Sequence, residues 1–141
     1  MILEKHNTNW RLEFKRLKHV YIQTSGEYIL GIEHIGSTSI PDLMAKPILD
    51  IDIFIQDYKV FPNIKNRLES LGYYHNGDQG IPYREAFKRK DEDVPYFDSE
   101  KNWMLHHLYV CPEFSTELKR HIRFREEVQG CAVELREEPE R

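Results

Sequence analysis

Gly36-Ser37-Thr38-Ser39-Ile40-Pro41, followed by Lys46-Pro47-Ile48-Leu49-Asp50-Ile51-Asp52-Ile53, is the stretch whose reading decides the fold. A Gly-Ser turn comes first. After a short linker, two aspartates stand two residues apart inside an apolar strand. Side chains alternate across a strand with period two. Ile48, Asp50, Asp52 and Phe54 therefore share one face, and Leu49, Ile51, Ile53 and Ile55 share the other. The second set is wholly apolar and is expected to face the core. The first places two carboxylates side by side, with Cβ atoms about 6–7 Å apart.

Carboxylates in such a run are costly unless a cation or hydrogen bonds compensate them. A hard divalent cation, Mg2+ or Mn2+, is the candidate, because it takes a few carboxylates together with water and substrate phosphates. A D-x-D pair also occurs on plain solvent-facing strands. Ile48 and Phe54 on the same face argue against that reading. Gly36 lets a phosphate approach the backbone, Ser37 offers a hydroxyl and an N–H, and a helical turn within Thr38–Ala45 would add a positive dipole. A P-loop is excluded, because the G-x-x-x-x-G-K-[ST] spacing is absent.

Outward from this stretch, an amphipathic helix is expected from about Asn9 to Thr24. Trp10, Phe14, Leu17 and Tyr21 form its apolar stripe and Ser25-Gly26 its stop. Strands are expected over Tyr28–Ile35, Pro47–Ile55, Tyr73–His75, Tyr83–Lys88 and Trp103–Val110. A second helix should start at Pro62 and run to Leu71, with Gly72 closing it. A third is expected from Glu113 to about Gln129, with Phe114, Leu118, Ile122 and Val128 inward. Lys90–Asn102 reads as an exposed loop. The order predicts an α+β (α/β) domain: a mixed sheet with helices packed against it.

Composition bounds the function. The chain has 141 residues, enough for one domain with a real core. Its net charge of -4 gives no global pull toward nucleic acid. The two cysteines, Cys111 and Cys131, form no C-x-x-C pair. They give neither a zinc framework nor a disulfide scaffold, in keeping with a reducing cytoplasm. No apolar run has the length of a signal peptide or a membrane span.

Glu33-His34-Ile35-Gly36-Ser37-Thr38-Ser39-Ile40-Pro41 with Ala45-Lys46-Pro47-Ile48-Leu49-Asp50-Ile51 resembles the signature of the GrpB family, within the nucleotidyltransferase (polymerase-β-like) superfamily. Arg84 and Phe87 resemble the family's R-x-x-F strand. His106-His107-Leu108-Tyr109-Val110 resembles its H-H-L-H-V strand, and Phe124-Arg125 its late F-R. The likeness covers roughly residues 8–127. It implies a single nucleotidyltransferase-like domain over 1–141, shortened at its C-terminus. It also implies a nucleoside triphosphate and an unknown acceptor as partners. Gly36 and Ser37 would hold phosphates, and Asp50 and Asp52 would bind metal and act in catalysis. The superfamily's third carboxylate is replaced here by a histidine strand, so His107 becomes a third ligand or a general base. Tyr109 stands where the family has a second histidine. Some relatives are joined to dephospho-coenzyme A kinase, which implies a link to nucleotide or coenzyme A metabolism.

The remaining polar residues leave alternatives open. Lys46 is a triphosphate contact or a surface lysine. Arg84 is a phosphate clamp through its planar fork or a solvated strand residue. His34 orients the Gly-Ser turn, and His106, sharing a face with Leu108 and Val110, is a satisfied core histidine. Two rival readings stand beside the transferase: a non-catalytic nucleotide- or coenzyme A-related module, and an RNA-modifying enzyme whose surface is Arg84, Lys88, Arg89 and Lys90. Nucleic acid is the less favoured partner.

Overall fold

The computed structural model of the chain describes residues 2–41, 43–114, 122–123 and 125–126. Helix α1 spans Thr8–Ser25. Asn7 caps it, its side-chain oxygen accepting from the Asn9 N–H at 2.8 Å, which satisfies one of the orphan donors of the first turn. Trp10, Leu17 and Tyr21 are buried at the expected spacing, and Phe14 packs against the core half-buried. The chain then makes a short 3-10 turn at Gly26–Tyr28 before strand β1, Gly31–Ile35.

Strand β2 is Leu49–Ile55, and Leu49, Ile51, Ile53 and Ile55 are all fully buried. Each such side chain contributes about 1.5–3 kcal/mol on burial. A slip of one residue would drive Asp50 and Asp52 into their place, so the register is strongly fixed. Helix α2, Phe61–Ser70, carries Pro62 in its first turn and buries Ile64 and Leu68. Gly72 ends it at φ +102°, a backbone conformation that favours glycine. Strands β3 (Tyr73–His75), β4 (Glu85–Arg89) and β5 (His106–Pro112) complete the sheet.

The five strands lie in the order β1-β2-β5-β4-β3. The central pair β2–β5 is parallel and every other neighbour is antiparallel. Helices α1 and α2 contribute to one core cluster with the apolar face of β2. The expected α+β mixed sheet is therefore present. Among the described residues, no helix is long and apolar enough to cross a membrane.

Several expected boundaries move. The turn after Gly36 is a 3-10 turn over Ser37–Ser39, ending before Pro41. Trp103 and Met104 precede β5 instead of belonging to it. Trp103 is buried from a loop, its indole N–H donating to the Pro95 carbonyl at 2.9 Å. Lys90–Asn102 is not wholly exposed, since Val94 and Pro95 are buried and Val94 joins the core. Tyr83 lies outside β4, with φ +63°. Of the expected third helix, Leu118 and Val128 lie outside the described residues, as do Phe124 and Cys131.

Candidate functional site

The site begins with a glycine. Gly36 has φ +72° and ψ −172°, a region essentially reserved for that residue. It follows β1 directly and turns the chain across the end of β2. A Cβ at Gly36 would lie 2.5 Å from Asp50 Oδ2, so the turn and the carboxylate are in close apposition. Ser39 holds the turn, its hydroxyl donating to the Gly36 carbonyl at 2.6 Å. His34 steadies it from beneath, with Nε2 2.9 Å from the Thr38 hydroxyl and its ring stacked on Phe14. Burial pushes His34 down to about 4, so it is neutral near pH 7.

Asp50 faces His107 across the parallel β2–β5 pair. Its Oδ1 lies 3.1 Å from His107 Nδ1. A carboxylate only accepts, so Nδ1 carries the proton, and a neutral His107 presents a lone pair at Nε2. The His107 side chain is 57 % exposed and that of Asp50 32 %. An oriented, accessible imidazole of this kind suits proton transfer.

Asp52 shares the face of Asp50 but is fully buried. Its strand neighbours are Glu33 on β1 and Tyr109 on β5. Glu33 forms an ion pair with Arg125 at 2.8 Å, and Arg125 also donates to the His34 carbonyl at 2.9 Å. Arg84 lays its guanidinium 4.4 Å from the centre of the Tyr109 ring. Burial raises the Tyr109 phenol above its usual range, Arg84 opposes this, and Asp50 and Asp52 add to the rise.

One cavity of about 320 Å³ brings Ser37, Thr38, Lys46, Asp50 and His107 together, a volume in the usual range for small-ligand sites. Arg84 and Asp52 do not line it. Among the described residues, no set of three or more His, Cys, Asp or Glu side chains converges as a metal-binding group. The basic run expected at Arg84–Lys90 is split. Arg89 turns its guanidinium to the carbonyls of Glu92, Val94 and Trp103, which closes the following loop and removes it from any basic surface.

His106 is the core histidine expected. Its Nδ1 donates to the Met104 carbonyl at 2.7 Å, and its Nε2 lies 2.6 Å from the Tyr73 hydroxyl. The Tyr73 hydroxyl is in turn 2.7 Å from that of Tyr21. Burial takes His106 down to about 3. The Glu33–Arg125 pair was not visible beforehand, because it joins residues 92 positions apart and neither carries a local spacing signal.

The GrpB protein family model matches residues 1–137. This chain belongs to the GrpB family. It is 32 % identical over 127 residues to the glutamate-rich protein GrpB of Alkalihalophilus pseudofirmus, covering 89 % of this chain and 70 % of that protein. It is also 32 % identical over 114 residues to the UPF0157 protein YqkA of Bacillus subtilis, covering 81 % of this chain but 29 % of YqkA. The chain thus spans less than a third of that second relative. The crystal structure of the conserved protein GrpB from Enterococcus faecalis superposes with a TM-score of 0.75 at 26 % identity, over 94 % of this chain and 74 % of that one. The GrpB family and its mixed α+β fold are thereby established for this chain.

Proposed function

We propose that this GrpB-family protein binds a nucleoside triphosphate over the Gly36–Ser37 turn and transfers its nucleotidyl group to an acceptor. The observation that carries the reading is the shared cavity. Ser37 and Lys46, a phosphate-binding pair in kind, open onto the same space as the Asp50–His107 dyad. In the step itself, an acceptor hydroxyl oxygen bonds to the α-phosphorus. The bond from that phosphorus to the bridging oxygen of the β-phosphate breaks, and pyrophosphate leaves with the electron pair. The hydroxyl proton passes to Nε2 of His107, and Asp50 stabilises the imidazolium that results.

Mg2+ or Mn2+ travelling with the triphosphate would supply charge neutralisation. Such an ion needs only one or two protein carboxylates beside phosphate oxygens. Asp50 fits that role, because its Oδ2 abuts the Gly36 turn and it lines the cavity. Asp52 is enclosed two positions further along β2 and does not reach the cavity.

Isothermal titration with Mg·ATP and Mg·GTP tests the site. Asp50→Asn and Lys46→Ala should each weaken binding roughly tenfold or more, the scale of one lost charge-assisted contact. Equal affinity in wild type and both variants would sink the assignment. A second reading, a nucleotide-binding module without turnover, draws on the D-x-D pair offering the cavity only Asp50, since Asp52 is enclosed. Nucleotide incorporation that disappears in His107→Ala would exclude it.

A further inference from the structure

The ladder between β4 and β5 runs from Glu85–Val110 to Phe87–Leu108 and stops there. Both strands continue. Strand β4 goes on to Arg89 against β3, and β5 begins at His106 against β2. Where they part, a second cleft of about 400 Å³ opens. Tyr74, Gln79, Lys88, His107 and Tyr109 border it.

This cleft is chemically unlike the first. Among the described residues no Asp or Glu lines it, whereas Asp50 lines its neighbour. Lys88 is exposed and has no ion-pair partner among the described residues. Arg89 also borders the cleft, but its guanidinium is committed to carbonyls of the following loop, so Lys88 is the available cation. Tyr74 pairs with Lys88 across β3–β4, on the same face, and is 42 % exposed. An aromatic ring beside an uncommitted ammonium suits a planar group carrying a negative charge. Next to them, the Arg84 guanidinium on Tyr109 adds positive potential.

Among the described residues, His107 is the one that borders both clefts. Asp50 fixes its Nδ1 from the first side. We propose that the β4–β5 cleft is the acceptor site, and that it takes an aromatic or heteroaromatic phosphomonoester bearing a free hydroxyl. The assignment rests on the transferase reading above and deepens it. The acceptor phosphate lies against Lys88, the ring against Tyr74, and the hydroxyl beside His107. From there it attacks the α-phosphorus held in the first cavity, and its proton goes to His107. The wall shared by the two clefts is thus the residue that couples the two substrates.

Amide chemical-shift mapping on the 15N-labelled full chain tests this, with phenyl phosphate and Mg·ATP titrated separately. Phenyl phosphate should shift Tyr74, Gln79, Lys88 and Tyr109 saturably and leave Ser37 and Lys46 in place. Mg·ATP should do the reverse, and His107 should respond to both. Lys88→Ala should weaken phenyl phosphate roughly tenfold, the loss of one charge-assisted contact. Its spectrum away from the cleft reports that it is folded. Phenyl phosphate that shifts the Ser37–Lys46 set, that gives no saturable shift, or that binds Lys88→Ala unchanged overturns the acceptor site. If phenyl phosphate maps to the cleft while Mg·ATP fails to bind, the transferase reading falls, the acceptor role with it, and an anion site remains. If Mg·ATP binds and phenyl phosphate does not, the nucleotide reading stands alone.

Discussion

At Gly36 an added Cβ would meet a carboxylate oxygen at 2.5 Å while the backbone sits at φ +72°. Both effects penalise any side chain. Gly36→Ala should cost roughly 1–3 kcal/mol from the backbone alone and should push Asp50 away from His107. Urea unfolding would record a lower midpoint, and Mg·ATP titration a weaker affinity. A variant as stable as wild type would contradict the conformation described. At this scale the sequence was informative wherever period-two alternation governs. Asp50 and Asp52 do share a face, and the isoleucines opposite are buried. Alternation says nothing of what lies over a face. Asp52 is enclosed by neighbours on β1 and β5 that are remote in sequence, so its burial was not legible. Arg89, expected on a basic surface, turns away from it for a similarly hidden reason. Its partners are carbonyls, which every residue carries and no pattern marks.

Among the elements, β5 is the one whose limits shifted most. Trp103 and Met104 look like strand residues because they are apolar, yet Trp103 serves the core from the loop before β5. What anchors the start of β5 is a directed chain of hydrogen bonds. The Met104 carbonyl can only accept, so His106 Nδ1 donates to it. His106 Nε2 then accepts from the Tyr73 hydroxyl, which accepts in turn from Tyr21. Every proton in the chain has one place. Tyr73→Phe removes the middle link and strands two buried polar groups, at a cost of about 1–3 kcal/mol for the loss of partners. Chemical denaturation should show that loss, and a neutral result would mean the hydroxyls are satisfied elsewhere. The chain links α1, β3 and β5, so it was invisible to any reading made one element at a time. The elements themselves, α1, β2, α2 and β3, follow from apolar spacing, Pro62 and Gly72.

For the molecule as a whole, the buried His106 and the half-buried His34 contribute to the pH response. His34 and His106 are held by burial at about 4 and about 3, below the ordinary 6.5. The unfolded chain therefore binds more protons than the folded one between those values, and stability rises with pH there. Their contribution is complete above about 6.5 and is lost progressively as pH falls toward 4 and then 3. Urea midpoints measured across that window should decline on acidification. A flat profile would contradict neutral, enclosed histidines. The family and fold were legible because one long motif carries both. The cleft between β4 and β5 was not, because it exists only where two strands separate. Asp50 and His107 stand 57 positions apart along the chain. A ribosome therefore delivers the Gly-Ser turn and its aspartate long before the imidazole that completes the dyad. Until the central parallel pair closes, a nascent or clipped product holds the Gly36 turn and Asp50 with no imidazole beside them, and the dyad forms only when the sheet is finished.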